Sequence, residues 1–257
     1  MPSNTVPRIT VENIGRVGLI TLNEPERRNA LSLELNEQLI RAMDSLEANS
    51  DIGAVVLTGS GRAFCAGADL SQLGASKREG LLRIYEGFLR VASSPLPTVA
   101  AVNGAAVGAG MNLALACDLR IAGASARFDT RFLDLGIHPG GGHTWMFRNI
   151  AGQQATMAAV LFGQVLDASE AERVGLVWKS VEDDELINTA VTCAARAADA
   201  PSELTRRVKR TIQDVASIQS HEDAVQRELK DQAWSMDQPA FAESLAALQK
   251  RISSENN

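Results

Sequence analysis

Short apolar runs separated by glycine-rich turns dominate the first 180 residues of the chain. Three of these runs have the length of one buried strand, and they are Val17–Leu22, Ile52–Thr58 and Thr98–Val102. Between them, apolar residues recur every three or four positions, as in the segment after Ser32, a candidate helix N-cap. Strand-length runs that alternate with helix-length periodic segments predict an α/β core. Ile9–Val11 and Val17–Leu22, which flank a turn at Gly15, predict an opening β-hairpin.

The pattern changes after Asp183. Three or four helices follow without strands, at about 183–199, 202–219, 221–235 and 239–252, and their exposed positions are strongly charged. We therefore predict a core over residues 1–199 and a helical C-terminal part over residues 200–257. A helical segment without a large core of its own is typical of subunit contacts, so the second region is predicted to serve oligomerisation.

Composition narrows the class of protein. The chain has 257 residues, 45% of them hydrophobic, and a net charge of −6. That charge argues against a nucleic-acid-binding protein, which would carry a basic stripe. Cys65, Cys117 and Cys193 are too scattered for a disulfide framework, which indicates a reducing compartment. The first residues do not resemble a secretory leader and no apolar run is long enough to cross a membrane, so we expect a cytoplasmic protein with no membrane partner.

Two glycine-rich turns follow strand-like runs, at Ala66-Gly67-Ala68 and at Gly108-Ala109-Gly110. A strand that leads through glycine into a helix presents unpaired backbone N–H groups, which suit an anion or an oxygen that becomes an anion during a reaction. Neither turn matches the dinucleotide or the phosphate-loop fingerprint. The alternative is a pair of tight turns that bind nothing.

Six sequence blocks together resemble the crotonase (enoyl-CoA hydratase/isomerase) superfamily. They are Arg27–Leu31, Phe64–Leu70, Pro97–Gly104, Gly108–Gly110, Cys117-Asp118, and Leu135-Gly136 with Pro139–Gly142. The resemblance implies a spiral of ββα units with a helical C-terminal part, assembled as a trimer or a dimer of trimers. It also implies an acyl-CoA thioester as ligand, with coenzyme A as part of the substrate, and no further cofactor or metal.

The resemblance assigns roles to particular positions. The N–H groups of Ala68 and Ala109, beside Gly67 and Gly108, would form an oxyanion hole for a thioester enolate. The loop around the adenine would include Ala66, Asp69 and Leu70. Arg28 and Ala30 would meet the phosphates and backbone of coenzyme A, although Arg27-Arg28 also fits an ordinary solvated loop.

The chain departs from the family where hydratases carry their two glutamates. Those positions are Asn112 and Phe132. The Asn112 amide can orient a water or a carbonyl by hydrogen bonds but cannot take a proton, and Phe132 can only shape the pocket. Since each acid–base group contributes about 10²–10⁴ to the rate, hydration by two glutamates is not expected. Asp134 and His138 are the candidate replacements, with ordinary loop roles as the alternative.

Other polar residues of the same segment have simpler interpretations. We expect Asp129 to pair with Arg127 or Arg131 in a surface ion cluster, and His143 to start a helix. His138 and His143 are a poor metal pair because no carboxylate stands at ligand spacing.

Three functional hypotheses follow. The first is an enzyme that acts on an acyl-CoA through an enolate. It would be a lyase or an isomerase, or would perform another reaction of the superfamily such as decarboxylation. Asp134 or His138 would be its acid–base residue. The second is a catalytically silent protein that binds or delivers acyl-CoA. The third is a hydrolase or dehalogenase in which Asp129 or Asp134 is the nucleophile.

Overall fold

The computed structural model describes residues 7–72 and 77–255. The chain divides into two compact units, one up to Ala198 and one from Asp199 onward. The strands of the described residues are β1 Ile9–Ile14, β2 Val17–Leu22, β3 Ala54–Gly59, β4 Ala63–Cys65, β5 Thr98–Val102, β6 Ala105–Val107, β7 Leu119–Gly123, β8 Arg127–Asp129, β9 Leu166–Asp167 and β10 Lys179–Val181. The α-helices of the same residues are α1 Leu33–Ala48, α2 Lys77–Ala92, α3 Ala109–Ala116, α4 His143–Thr156, α5 Ala168–Arg173, α6 Leu186–Ala198, α7 Ser202–Val215, α8 His221–Met236 and α9 Pro239–Glu255.

The larger sheet has six strands in the order β1-β2-β3-β5-β7-β10. Its first pair is the predicted hairpin, antiparallel with Ile9 opposite Leu22, and Gly15 in the turn has a φ of 58°. The remaining pairs of this sheet are parallel. Parallel strands are buried on both faces, which explains why they read as continuous apolar runs in the sequence.

Four short strands form the second sheet, in the order β4-β6-β8-β9. The units β3-β4-α2, β5-β6-α3 and β7-β8-α4 follow one another, and each gives its first strand to the larger sheet and its second to the smaller one. This confirms the predicted spiral of ββα units. The individual short strands were not evident from periodicity. Two or three residues are too few for an alternating pattern to show.

Side chains on both faces of the larger sheet are buried. On one face the sheet packs against Leu186, Ala190 and Ala194 of α6. On the other face it packs against α1, where the Ser32 side chain accepts a hydrogen bond from the Leu35 N–H and confirms the predicted N-cap. The strands are therefore rigid supports for the turns at their ends.

Several helix boundaries differ slightly from those predicted. Gly152 interrupts α4 with a φ of 78°. A π-helical turn over Met157–Leu161 follows. α7 ends at Val215, earlier than the predicted 219. In the described residues, no helix is long and apolar enough to span a membrane.

Candidate active site

The two glycine-rich turns lie side by side because the strands that precede them are paired. β4 and β6 are parallel neighbours, with Ala63 opposite Ala105. A Cβ atom placed on Gly110 would lie 2.1 Å from the Cys65 carbonyl oxygen, so a residue with a side chain does not fit there. A Cβ atom on Gly67 would lie 3.1 Å from the Val107 carbonyl oxygen. The glycines thus allow the backbones of the two turns to touch.

In the first turn, no described residue accepts a hydrogen bond from the Ala68 N–H group. Leu31 forms a parallel bridge with Ala68, in which the Leu31 N–H donates to Gly67 over 2.8 Å and the Asp69 N–H donates to Leu31 over 3.0 Å. Both bonds are made by the neighbours of Ala68. Because successive residues of an extended segment direct their N–H groups to opposite sides, the Ala68 N–H points away from Leu31.

In the second turn, the Ala109 N–H group likewise has no acceptor within the described part of the chain. Ala109 is the first residue of α3, and the N-cap Gly108, with a φ of 51°, offers no side-chain acceptor. The first intrahelical bond is donated by Asn112 to the Gly108 carbonyl oxygen over 3.0 Å. The first N–H groups of a helix have no partner within it. Two amide donors therefore stand on adjacent turns, and together they suit an oxygen that carries negative charge.

The two neighbouring arginines of the loop before α1 have different surroundings. Arg27 forms an ion pair of 2.6 Å with Asp69. The Ser71 hydroxyl and Arg27 both hold the pKa of Asp69 below its usual range. Arg28 is exposed and has a left-handed backbone with a φ of 52°, while its carbonyl oxygen accepts from the Ala66 N–H over 2.9 Å. The Arg28 backbone is thus fixed beside the first turn, and its guanidinium has no ion-pair partner among the described residues.

Two further positions implied by the resemblance flank this loop. The half-buried Ala30 donates its N–H to the Arg27 carbonyl oxygen over 3.2 Å. Leu70 follows Asp69 at the start of a short 3₁₀ turn and is 41% exposed. The loop over residues 27–31 and the segment over residues 66–70 are therefore connected by hydrogen bonds and one ion pair.

Asn112 forms a buried polar pair with His143. Both side chains are 1% exposed. The Asn112 Nδ2 donates to the Gly140 carbonyl oxygen over 2.9 Å, and the Asn112 Oδ1 lies 2.7 Å from the His143 Nδ1. Because Nδ2 is committed to Gly140, Oδ1 faces the imidazole as an acceptor. His143 therefore carries its proton on Nδ1, and its Nε2 is a bare acceptor.

His143 sits in an apolar environment. Its ring makes edge-to-face contacts with Phe132 and Phe147, at centroid distances of 4.9 and 5.8 Å. Burial lowers the pKa of His143 to about 4, because the charged form loses its hydration there. At neutral pH the ring is uncharged. Its buried Nε2 has no hydrogen-bond partner among the described residues.

The glycine run before α4 fits closely around this pair. A Cβ atom on Gly141, whose φ is 67°, would lie 2.5 Å from Phe88 Cζ and 2.9 Å from Asn112 Nδ2. Phe132, at 8% exposure, borders both features: its Cε1 lies 3.9 Å from a Cβ atom placed on Gly108, and its ring packs on His143. Phe132 thus connects the second turn to the buried histidine.

The two titratable candidates from the sequence are on the surface. His138 is exposed, and its Nδ1 lies 2.7 Å from the Pro139 carbonyl oxygen. Asp134 is also exposed. Within the part of the chain that the structure describes, neither has a hydrogen bond or ion pair to Asn112. Their assignment as catalytic groups stays a prediction.

Asp129 forms the expected ion pair with Arg131. Arg127 instead donates to the carbonyl oxygens of Ala124 and Ala126. Asp129 is 8% exposed and its carbonyl oxygen accepts from the Gly108 N–H. The Asp129 backbone thus supports the second turn. The expected pairing is confirmed and the Arg131 side chain is 53% exposed, while the Asp129 carboxylate is more buried than a surface cluster implies.

His143 is the residue of this site that sequence reasoning interpreted only as a helix start. It is the first residue of α4, but its bond to Asn112 joins positions 31 residues apart. The signal available in the sequence was the coincidence of Asn112 at a family glutamate position with a histidine directly after a glycine run. Cys65 is buried, and burial raises the pKa of its thiol to about 12, so it is not a reactive thiolate.

Comparison with known proteins agrees with the spiral of ββα units. The family model described as enoyl-CoA hydratase/isomerase matches residues 12–253. A Mycobacterium tuberculosis protein named "Probable enoyl-CoA hydratase EchA14" is 50% identical over 244 residues, which cover 91% of this chain and 94% of that protein. The 1,2-epoxyphenylacetyl-CoA isomerase of Escherichia coli is 38% identical over 191 residues, covering 71% of this chain and 73% of the isomerase.

Solved structures extend the likeness to three dimensions. The crystal structure of an enoyl-CoA hydratase from Bacillus anthracis has a TM-score of 0.89 at 30% identity, covering 95% of this chain and 96% of that one. A spiral of ββα units with paired turns at the ends of β4 and β6 thus defines a protein of the crotonase fold. The chain belongs to the enoyl-CoA hydratase/isomerase family.

Proposed function

We propose that this protein binds an acyl-CoA thioester and stabilises its enolate between the N–H groups of Ala68 and Ala109. The observation that carries the proposal is the pair of unused amide donors on two touching turns. An enolate places a full negative charge on the thioester oxygen, and donors that are already oriented stabilise that charge without reorganisation. Relatives named as CoA hydratases and a CoA isomerase support the same ligand class.

The coenzyme A end of the ligand is assigned to the loop of Arg28. Its free guanidinium suits a phosphate, with which arginine forms charge-assisted and bidentate hydrogen bonds. Ala30, Ala66, Asp69 and Leu70 border the same loop and would flank the nucleotide. Asp69 contributes indirectly, because its ion pair holds Arg27 and leaves Arg28 as the arginine available to the phosphate.

The reaction is expected to differ from hydration by two glutamates. Asn112 uses its amide to hold Gly140 and His143, and Phe132 is an apolar wall. We therefore favour an enzyme that uses the enolate in isomerisation or in another lyase step of the family. Asp134 or His138 would then supply the proton transfer after moving towards the bound ligand.

A proline at position 109 tests the enolate assignment. Proline is tolerated at the first position of a helix and lacks the N–H group, so Ala109→Pro removes the proposed donor while α3 is kept. Turnover of enoyl-, dienoyl- or malonyl-CoA esters is expected to fall about 10²–10³-fold. Ala109→Ser, which retains the N–H, is the matched control and should stay within a few-fold of the natural chain. Equal loss in both variants would contradict the assignment.

A second candidate function is binding without turnover. The exposure of both Asp134 and His138 favours it, because neither side chain has a hydrogen bond or ion pair to the paired turns among the described residues. In that case calorimetry shows binding of long acyl-CoA esters, and the ligand is recovered unchanged after hours with the protein. Consumption of any ester above its spontaneous hydrolysis rules this candidate out.

We further propose that copies of the chain associate through the helical unit, as a trimer or a dimer of trimers. No residue of α7 or α8, both fully described, is buried in the single chain. Large apolar side chains are exposed there, including Ile212 at 66% and Met236 at 55%. Exposed apolar surface of this kind marks a protein interface.

A further inference from the structure

Two adjacent residues of the loop before α1 have a left-handed backbone. Arg28 and Asn29 have φ values of 52° and 57°. Asparagine adopts this conformation more readily than arginine does, because its short polar side chain can bond to nearby backbone groups. Such residues persist in succession only where the surrounding structure holds them. The contacts of Asn29 therefore indicate what fixes the backbone of Arg28.

Asn29 uses both polar atoms of its side-chain amide to hold this loop. The residue is fully buried, with 0% exposure. Its Oδ1 accepts a hydrogen bond from the Glu24 N–H over 2.9 Å. Its Nδ2 donates to the carbonyl oxygens of Ser60 and Ala63 over 2.9 and 2.8 Å. One buried amide thus joins the loop before α1 to the connection between β3 and β4.

The connection that Asn29 holds leads directly to the first glycine-rich turn. β4 begins at the second of the two carbonyl groups and ends just before the turn. The Ala66 N–H donates to the Arg28 carbonyl oxygen over 2.9 Å, and the Leu31 N–H donates to Gly67 over 2.8 Å. Because Asn29 lies between Arg28 and Leu31, its amide holds the loop at the point where the loop meets the turn.

We propose that Asn29 is a positioning residue that fixes the spacing between the phosphate contact assigned to Arg28 and the oxyanion donor assigned to Ala68. One acyl-CoA thioester has to meet both groups at once, so the coenzyme end can orient the thioester only if this spacing is constant. A loop that moved independently of the turn would have to be ordered by the ligand, which weakens binding. The inference rests on the proposed acyl-CoA function. Asn29 acts through Arg28, because a fully buried amide does not itself reach the ligand.

A comparison of a complete and a truncated thioester tests this role. Butyryl-CoA and butyryl-pantetheine share the thioester, but only butyryl-CoA carries the nucleotide and its phosphates. Calorimetry gives the two dissociation constants, and their ratio is the selectivity for the coenzyme end. Asn29→Gly removes the amide and still allows the left-handed backbone. It should lower the selectivity about 5–10-fold, the loss expected when the charge-assisted bond to phosphate is not formed.

This ratio separates a positioning role from a general loss of stability. A smaller folded fraction affects both ligands equally and leaves the selectivity unchanged. Asn29→Asp keeps the size of the side chain and the acceptor for the Glu24 N–H, but it lacks the amide donor to the two carbonyl groups. It should lower the selectivity in the same direction, and it provides the test if Asn29→Gly does not fold.

Asn103 offers a matched control in the same part of the fold. Its Oδ1 accepts from the Gly59 N–H over 3.1 Å, and its Nδ2 donates to the Gly61 carbonyl oxygen over 3.0 Å. It thus holds the same connection between β3 and β4, but among the described residues it has no hydrogen bond to the loop of Arg28. Asn103→Ala should keep the selectivity. An equal loss of selectivity in this variant would overturn the inference.

A double-mutant cycle shows whether Asn29 acts through Arg28. If it does, Arg28→Ala/Asn29→Gly loses no more selectivity than Arg28→Ala alone, because both substitutions remove the same contact. Losses that multiply would show that the two residues act independently, and the inference would then be wrong. If the natural chain does not bind butyryl-CoA, the proposed function itself fails. If butyryl-CoA binds and Asn29→Gly keeps the natural selectivity, only the inference fails.

Discussion

His143 shows how burial alone changes what a histidine can do. Its Nδ1 is bonded to a neutral amide, and no carboxylate contributes to the shift of its pKa. His138, by contrast, is exposed to solvent. His143 remains neutral through the physiological pH range, and this makes it a fixed acceptor.

The same burial makes folding stability depend on pH. The unfolded chain protonates His143 near pH 6.5, whereas the folded chain resists protonation until about pH 4. Between these values the unfolded state binds more protons, so the free energy of unfolding falls as the pH falls. At pH 5 the loss relative to pH 8 is about 2 kcal/mol. Urea unfolding should show this loss at pH 5 for the natural chain. It should not show the loss for His143→Phe/Asn112→Leu, which lacks the imidazole. Parallel pH profiles would mean that the imidazole is not shielded from protonation.

Arg27 and Arg28 are neighbours in sequence but differ in their ion pairs. Arg27 is paired with Asp69, and Arg28 is not paired within the described chain. We expect Arg28→Ala to weaken binding of a CoA thioester about 5–10-fold, because a charge-assisted bond to phosphate is lost. Arg27→Ala should change the affinity by less than about 2-fold, since exposed ion pairs contribute little. Titrations at low and high salt check this, because the Arg28→Ala complex should be the less salt-sensitive. Equal effects would contradict the division of roles.

The loop before α4 depends on glycine for two different reasons. Gly136 and Gly141 both have positive φ values, 64° and 67°. A Cβ atom on Gly141 would collide with Phe88 and Asn112, whereas a Cβ atom on Gly136 meets nothing within 4 Å. We expect Gly136→Ala to cost about 1 kcal/mol of backbone strain. Gly141→Ala should cost about 2–4 kcal/mol and break the bond between Asn112 and His143, since overpacking is added to the same strain. Thermal unfolding measures both variants, and equal costs would show that the close fit around Asn112 is not needed.

Local patterns in the sequence were enough to predict the long elements. The hairpin of β1 and β2 needs only apolar runs around Gly15, and the start of α1 needs only Ser32 and the apolar period that follows. The short strands β4, β6, β8 and β9 are different, because they exist through pairing with each other and have too few residues to show a period. These strands were predicted only as parts of the ββα units that the family resemblance implies.

The site was only partly predictable for the same reason. The turns at Gly67 and Gly108 are local features, and their adjacency followed from the family resemblance. The contact between Asn112 and His143 joins two helices and depends on the fold of the whole unit. The glycine run before His143 sets it apart from the exposed His138 in sequence, but it does not reveal that His143 is buried. Burial separates the two, and burial is set by residues distant in the chain.

In the helical unit, ion pairs join α7 and α8. Asp231 of α8 forms ion pairs with Arg207 and Arg227, and these arginines, Arg227 first, lower the pKa of its carboxyl to about 2. Arg207 also lies 4.0 Å from the ring of Trp234. Ile212 lines a groove beside these polar groups and is 66% exposed. Apolar side chains on a helix surface that is otherwise polar indicate that another surface covers them.

Association of copies of the chain is therefore expected to depend on this apolar surface. Ile212→Lys places a charge at a side chain that is 66% exposed in the single chain, so it should not harm folding of the monomer. In the proposed trimer or dimer of trimers the same charge would be buried without a partner, which is strongly unfavourable. Light scattering after size exclusion should give three or six chain masses for the natural protein and a smaller assembly for Ile212→Lys. Gln213→Lys introduces the same charge one residue further on at another exposed position and should leave the mass unchanged. An Ile212→Lys protein that keeps the full mass would place the subunit contact on a different surface.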